Sequence, residues 1–257
     1  RVEWEVARLA YRKAYVPEIV WTSEDGGPEG RPCSILRWVG GETLAEVLRL
    51  GSAEDARQAA WAAGEALARV GAHTFREPGF LGPGLAVVEP TGRPSQAVRG
   101  AIEYCLFRAG AAERLGEPLA GRVWTFAMRY AHRLDRLADA ARLVHGCYTP
   151  EHIVLRRVSG VWTVAAVVDW EDAFSGSPLW DVGALMRRVS LAFPHFADPF
   201  LKAFLKGGGD APADILPLAR LFDLVPLMQD LTRENLPPDR QEQTVAAVRA
   251  TVDSLGQ

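Results

Sequence analysis

Three short groups of residues between Leu143 and Asp181 carry side chains equipped for chemistry. His145-Gly146-Cys147 comes first, His152 follows five positions after the cysteine, and Asp169-Trp170-Glu171 closes the set. A Cys-x4-His pair with a distant Asp could serve as an activated thiol nucleophile, with His145 or His152 as its base, or as a thiolate metal ligand. Asp169 directly follows an apolar run. That position points a hard oxygen ligand into a cleft and suits a divalent cation. His152 could add a nitrogen ligand, although Mg²⁺ prefers oxygen. Spacing alone leaves these chemistries open.

The elements that must hold these groups are readable from pattern. Ile153–Arg157 and Val161–Val168 are β-rich, with Ser159-Gly160 between them. They form a predicted hairpin with polar residues at both open ends. Helical spacing covers Val2–Ala14, Thr43–Leu50, Ala53–Phe75 with His73 closing it, Gln96–Arg114 and Pro118–Leu143. Ser34–Val39 reads as a short strand and Glu77–Pro94 as an ordered surface loop. Asp181 opens a further helix to Val189, as N-cap or first-turn acid. Phe200–Leu205, Pro212–Leu231 and Pro238–Leu255 make an all-helical tail, in which Asp223, Asp230 and Glu234 receive no role.

Composition narrows the function classes. The 257 residues are 48% hydrophobic, enough for a substantial core. A net charge of −3 without a long basic run argues against nucleic acid as a partner. No apolar stretch is long enough to span a bilayer, and no secretory signal is visible. Cys33, Cys105 and Cys147 have no C-x-x-C spacing, which fits free thiols in a reducing cytoplasm. Of the 29 basic residues only Lys13, Lys202 and Lys206 are lysines.

The frame H-G-C-x4-H, then D-W-E, then Gly176-Ser177-Pro178-Leu179-Trp180-Asp181-Val182 resembles the aminoglycoside phosphotransferase and choline kinase-like family. That family has H-G-D-x4-N, then D-W-E or D-W-D, then G-D-P-x-x-D-L. Val16-Pro17-Glu18-Ile19-Val20, Gly40-Gly41-Glu42-Thr43-Leu44 and the Pro78–Pro83 segment resemble further family segments. Two functional positions differ: Cys147 stands for the Asp that receives the substrate proton, and His152 for the Asn.

The resemblance implies an α+β, two-lobed protein kinase-like fold. Residues 1–42 are the remnant of a small, truncated N-lobe with the hinge, and 43–257 a large, mainly helical C-lobe with an inserted β-hairpin. It implies Asp169 and His152 as metal ligands, Cys147 and His145 as the catalytic-loop pair, and Asp181 as a structural brace beneath that loop. Backbone groups of Arg37 and Val39 meet the nucleotide base, and Glu3 is the partner of the phosphate-binding lysine. None of the three lysines occupies that lysine's position. The expectation is that the first strands, the glycine-rich loop and this lysine lie upstream of Arg1; a protein built without them is the alternative.

The implied function is ATP- or GTP-dependent phosphoryl transfer, with Mg²⁺, to a hydroxyl of a small molecule, aminoglycoside-like or related. Cys147 impairs it, because a thiol is a poor substitute for a carboxylate base. A pseudokinase that binds nucleotide or ligand without transfer is the alternative. Neither membrane nor nucleic acid is an expected partner. The identity of the substrate and the oligomeric state are not encoded in any of these motifs.

Overall fold

Helix α1 (Val2–Ala10) buries Val6 and Ala7, while Glu5 accepts a hydrogen bond from the Leu85 N–H at 3.0 Å. The computed structural model describes residues 2–10, 14–24, 26, 27, 30, 33–189, 192–209 and 212–255. Residues 11–13, where the predicted first helix continues and where Lys13 lies, are outside them. Strands β1 (Ile19–Ser23) and β2 (Cys33–Leu36) pair antiparallel. The two-residue strand β3 (Glu42–Thr43) runs straight into α2 (Leu44–Leu50).

Local chemistry sets these helix starts. Thr43 accepts from the Glu46 N–H at 3.2 Å, and the Glu46 carboxylate takes the Thr43 N–H at 2.7 Å. Ser52 and Asp55 repeat the exchange at the head of α3 (Ala53–Val70). Each capping box satisfies two orphan donors. Helix α3 stops at Val70 rather than Phe75, because Gly71 caps it by returning its N–H to Leu67. His73 therefore lies beyond the helix, where its carbonyl accepts the Leu143 N–H at 2.8 Å.

The segment expected as a loop after Glu77 holds strands β4 (Gly79–Leu81) and β5 (Val87–Pro90) around a short 3₁₀ turn. Helices α4 (Pro94–Phe107) and α5 (Ala111–Leu115) replace one predicted helix. Gly110, at φ 78°, breaks the chain between them in a left-handed conformation that costs glycine little.

Helix α6 (Glu117–Tyr130) likewise ends early, passing through a 3₁₀ stretch to strand β6 (Arg142–Val144). An apolar run such as Leu143-Val144 fits helix or strand equally. Pairing with β9 (Phe174–Gly176), thirty residues on, decides it. Strands β7 (Ile153–Val158) and β8 (Val161–Val167) make the predicted hairpin. Helices α7 (Leu179–Val189), α8 (Ala197–Lys206), α9 (Ile215–Asp230) and α10 (Pro238–Leu255) follow.

Among the described residues every strand pair is antiparallel, in sheets ordered β1-β2, β3-β7-β8 and β5-β4-β9-β6. An alternating parallel α/β architecture is thereby ruled out for them.

The chain divides into two compact units. One comprises residues 1–90 and 140–211, and all three sheets belong to it. Its core includes the face between α3 and α8, where a Cβ on Gly64 would lie 2.2 Å from the Phe200 carbonyl oxygen. Alanines along α3 allow that approach. The other unit comprises residues 91–139 and 212–257 and is helical. Its core includes Ile102, Val123, Leu218 and Val248, and Asp214 pairs with both Arg133 and Arg136. These units follow compactness. The 1–42 and 43–257 division read from the sequence is one of kinase lobes and hinge.

Candidate active site

The site grows from the open end of the β7–β8 hairpin. Ser159 at φ 50° and Gly160 at φ 83° form its tight turn, both in the left-handed region that a two-residue hairpin turn requires. The register then puts Ile153 opposite Val167, and the Val168 N–H closes onto the His152 carbonyl at 3.0 Å. His152 and Asp169 are thus delivered to the same end of the hairpin, although seventeen residues separate them. Asp169 itself has φ 68°. A non-glycine residue held there carries backbone strain, a feature that clusters at functional sites.

The 145–152 loop lies against that end. His145 is wholly buried, and its ring packs 4.6 Å from that of Trp170. Nδ1 accepts the Cys147 N–H at 3.2 Å, so Nε2 carries the proton and donates to the Val168 carbonyl at 2.9 Å. Burial pushes the His145 pKa down to about 3, which keeps the ring neutral and this arrangement fixed. His145 cannot meet a substrate from that depth. It positions Cys147 on one side and the residue preceding Asp169 on the other.

Asp181 holds the loop from below. It accepts the His145 N–H at 2.8 Å and the Gly146 N–H at 2.9 Å. The sequence places it as a cap or first-turn acid, and it does sit in the first turn of α7. Its carboxylate, however, faces the 145–146 backbone rather than its own helix end. Complete burial pushes its pKa up to about 7, against the pull of these backbone donors. Gly146 is required by its φ of 85° and because a Cβ there would lie 2.2 Å from the Asp172 carbonyl oxygen. Three aromatic side chains support the loop. Tyr148 donates to the Ala63 carbonyl at 2.8 Å, Trp170 to Val167 at 2.8 Å, and Trp180 to Gly146 at 3.3 Å.

Cys147 and His152 face each other on this frame. Cys147 is a half-buried free cysteine, and its backbone carbonyl lies 2.9 Å from His152 Nδ1. The opposite nitrogen, Nε2, lies 3.2 Å from Asp169 Oδ2. Contact with the Cys147 side chain, then the Cys147 carbonyl and the Asp169 charge, push the His152 pKa up to about 9 against burial. Glu3 belongs to the same neighbourhood. Burial first, then the charges of Asp169 and Glu171, push its carboxyl up.

The Arg37 N–H already serves the Glu18 carbonyl at 2.8 Å, and its guanidinium pairs with the Glu18 carboxylate. Val39 is half-buried beside it in the chain. Asp230 is engaged by Arg240, Arg233 and Thr244, which makes it a structural acid of the helical unit. Lys202 pairs with Asp198, and Lys206 stacks over Trp61. Among the described residues no helix is long and apolar enough to cross a membrane. Nor do three or more His, Cys, Asp or Glu side chains there converge into a metal cluster.

Residues 3–218 match the phosphotransferase enzyme family APH. The chain belongs to that family. The sequence-derived kinase-like fold of the aminoglycoside phosphotransferases holds, with its mixture of small antiparallel sheets and a large helical part. A thermostable mutant of aminoglycoside phosphotransferase APH(4)-Ia, in a ternary complex with ADP and hygromycin B, superposes with a TM-score of 0.71 at 18% identity, over 99% of this chain and 84% of that one. The GDP and kanamycin complex of APH(2")-IIIa gives 0.69 at 15% identity, over 99% and 82%. At such identities the likeness is one of fold. No curated protein matches in sequence.

Proposed function

We propose that this APH-family protein transfers the terminal phosphoryl group of ATP or GTP to a hydroxyl of a small molecule, aminoglycoside-like or related. The observation that carries the reading is the convergence of Cys147, His152 and Asp169 on one end of the β7–β8 hairpin, with His145 and Asp181 fixing the loop behind them. The ADP and hygromycin B complex and the GDP and kanamycin complex of proteins with this fold support both the donor class and the acceptor class. In this reading residues 1–42 form the small lobe and hinge, with Arg37 and Val39 against the base, and 43–257 carry the chemistry. A cytoplasmic location accords with the three free thiols.

In the reaction the acceptor oxygen bonds to the terminal phosphorus as the bond to the bridging oxygen breaks. The nucleoside diphosphate leaves with that electron pair, and the acceptor proton passes to a base. Position 147 faces that proton. A neutral thiol cannot take it, which forfeits much of the roughly 10²–10⁴-fold that a positioned base contributes. Positioning by the rigid loop remains, and in phosphoryl transfer positioning and electrostatics do most of the work.

Asp169 and His152 are the residues that would hold a divalent cation, whose contribution when bound is to neutralise phosphate charge. Asp169 suits Mg²⁺. His152 does not: it offers nitrogen where Mg²⁺ takes oxygen.

A second reading, a pseudokinase, is favoured by Cys147 at the base position. The test is calorimetric binding of AMP-PNP together with transfer from labelled ATP and GTP to a panel of aminoglycosides, macrolides and amino alcohols. Slow transfer to at least one acceptor is expected, with Asp169→Ala removing the cation-dependent part of nucleotide binding. Binding without transfer, in the wild type and in Cys147→Asp alike, would establish the pseudokinase. Absence of nucleotide binding would overturn both.

A further inference from the structure

We propose that the row Glu89–Phe80–Phe174 across the β5-β4-β9-β6 sheet is a sugar platform. It takes an amine-bearing pyranose, with the apolar ring face on the two phenylalanines and the ammonium against Glu89. The inference rests on the phosphotransferase reading only in that the bound sugar is then the acceptor.

Strand register builds the row. Phe80 on β4 stands directly opposite Glu89 on β5 and Phe174 on β9, and Phe174 stands opposite Val144 on β6. Directly opposed residues of an antiparallel pair put their side chains on one face. The row therefore crosses four strands of a single compact unit. It runs from a carboxylate at one edge to Val144, the residue before His145.

Exposure decides which part of the row is open. Val144 is wholly buried and Phe174 half-buried, whereas Phe80 is 54% exposed and Glu89 is exposed. The Phe80 and Phe174 ring centroids are 6.2 Å apart, close enough to make one continuous surface. A Cβ on Gly176 would lie 2.7 Å from the Phe174 ring, so the ring leans over that glycine along the strand. Trp180 makes a T-shaped contact with Phe174 at 5.4 Å and donates its N–H to the Gly146 carbonyl at 3.3 Å. The rings thus reach the backbone of the loop that carries Cys147.

Chemistry names the occupant. An aromatic face is negative, and it attracts C–H groups made slightly positive by neighbouring oxygens. One face of a pyranose offers such groups. The carboxylate at the outer end of the row adds a preference for an ammonium. Neighbouring strands lie about 4.8 Å apart, which separates Glu89 from Phe174 by roughly 10 Å. One sugar ring with its substituents bridges that span. A cross-strand ring pair can also steady a sheet without any ligand. The open face of Phe80 and the carboxylate beside it are what single out a sugar.

The experiment is saturation-transfer NMR on the whole protein with methyl β-D-glucosaminide and methyl β-D-glucoside, below pH ~7, where the amine is charged. The two probes differ only in that amine. Wild type should bind the glucosaminide about threefold more tightly at low salt. Saturation should be strongest at the axial ring protons that share one face. Phe80→Ala should weaken both sugars about three- to tenfold, and Phe80→Tyr, which keeps a ring, should bind as wild type does. Glu89→Gln should erase the preference for the amine and its salt dependence, and leave the glucoside unchanged.

Melting curves establish that each variant is folded. Equal sugar binding by wild type and a folded Phe80→Ala, saturation spread evenly over both ring faces, or no binding of either sugar to wild type would each overturn the platform. Sugar binding that is lost in Phe80→Ala, in a protein that binds no AMP-PNP, retains the platform and removes the phosphotransferase reading. Phosphate transfer to an aminoglycoside with the same KM in wild type and Phe80→Ala does the reverse.

Discussion

The carboxylate of Asp181 receives the backbone N–H of His145 at 2.8 Å, across 36 residues of sequence, inside a fully buried pocket. The neighbouring Gly146 N–H reaches its other oxygen. Removing the carboxylate strands two buried donors, each costing about 1–3 kcal/mol. Asp181→Ala should therefore lower unfolding free energy by about 2–6 kcal/mol in urea titrations. A loss below about 1 kcal/mol would mean that the loop finds other partners.

Gly146→Ala tests the close approach of the two loops. Its φ of 85° disfavours any side chain, and the Asp172 carbonyl oxygen would stand 2.2 Å from the new Cβ. Backbone must move. A cost of at least about 2 kcal/mol is expected from strain plus displacement. Thermal denaturation would read it, and a wild-type melting curve would refute the packing described.

The pH dependence of the His152–Asp169 pair has a definite sign. The folded-state pKa of His152 is about 9, above its ordinary 6.5. The stabilisation of charged His152, set first by its contact with the Cys147 side chain and least by the Asp169 charge, is thus fully present below 6.5 and lost as pH rises through about 9. Asp169 is 43% exposed, so solvent screening lowers the worth of the pair to at most about 1 kcal/mol. In metal-free buffer the stability difference between wild type and His152→Asn should shrink by that amount between about pH 6 and pH 10. A difference that stays constant would remove the ion pair.

His145 behaves oppositely. Its pKa is pushed down to about 3, so its contribution is present above 6.5 and lost as pH falls toward 3. Asp181, raised from 3.8 to about 7, loses stabilisation as pH rises across that window and partly offsets His145. Acid unfolding of an Asp181→Asn variant should therefore show the His145 limb more steeply than wild type. An unchanged slope would show that Asp181 is ionised throughout.

Cys147→Asp should raise turnover by at least about tenfold on any acceptor that reacts, the low end of what a positioned base supplies. Initial rates of ADP or GDP release measure it. If the substitution slows a measurable reaction, the thiol is the working group at this position, and the activated-cysteine chemistry weighed from the sequence takes its place.

The sequence by itself determined the hairpin around Ser159-Gly160 and the family to which the chain belongs. Those features rest on local alternation, turn chemistry and motif spacing, which short-range physics encodes. It also named the groups that meet at the site, because their types and intervals persist whatever the packing.

Tertiary structure decided what local pattern leaves degenerate. Leu143-Val144 became a strand because β9 was there to pair with it, and Glu77–Pro94 became a hairpin on the same sheet. Helix α3 ended at Gly71 through a cap that the alanine pattern does not announce. Only packing turned His145 into a buried, neutral positioning group and turned Asp181 away from its own helix end. Only packing set His152 Nε2 against Asp169, since no spacing rule specifies which nitrogen of a ring faces which carboxylate.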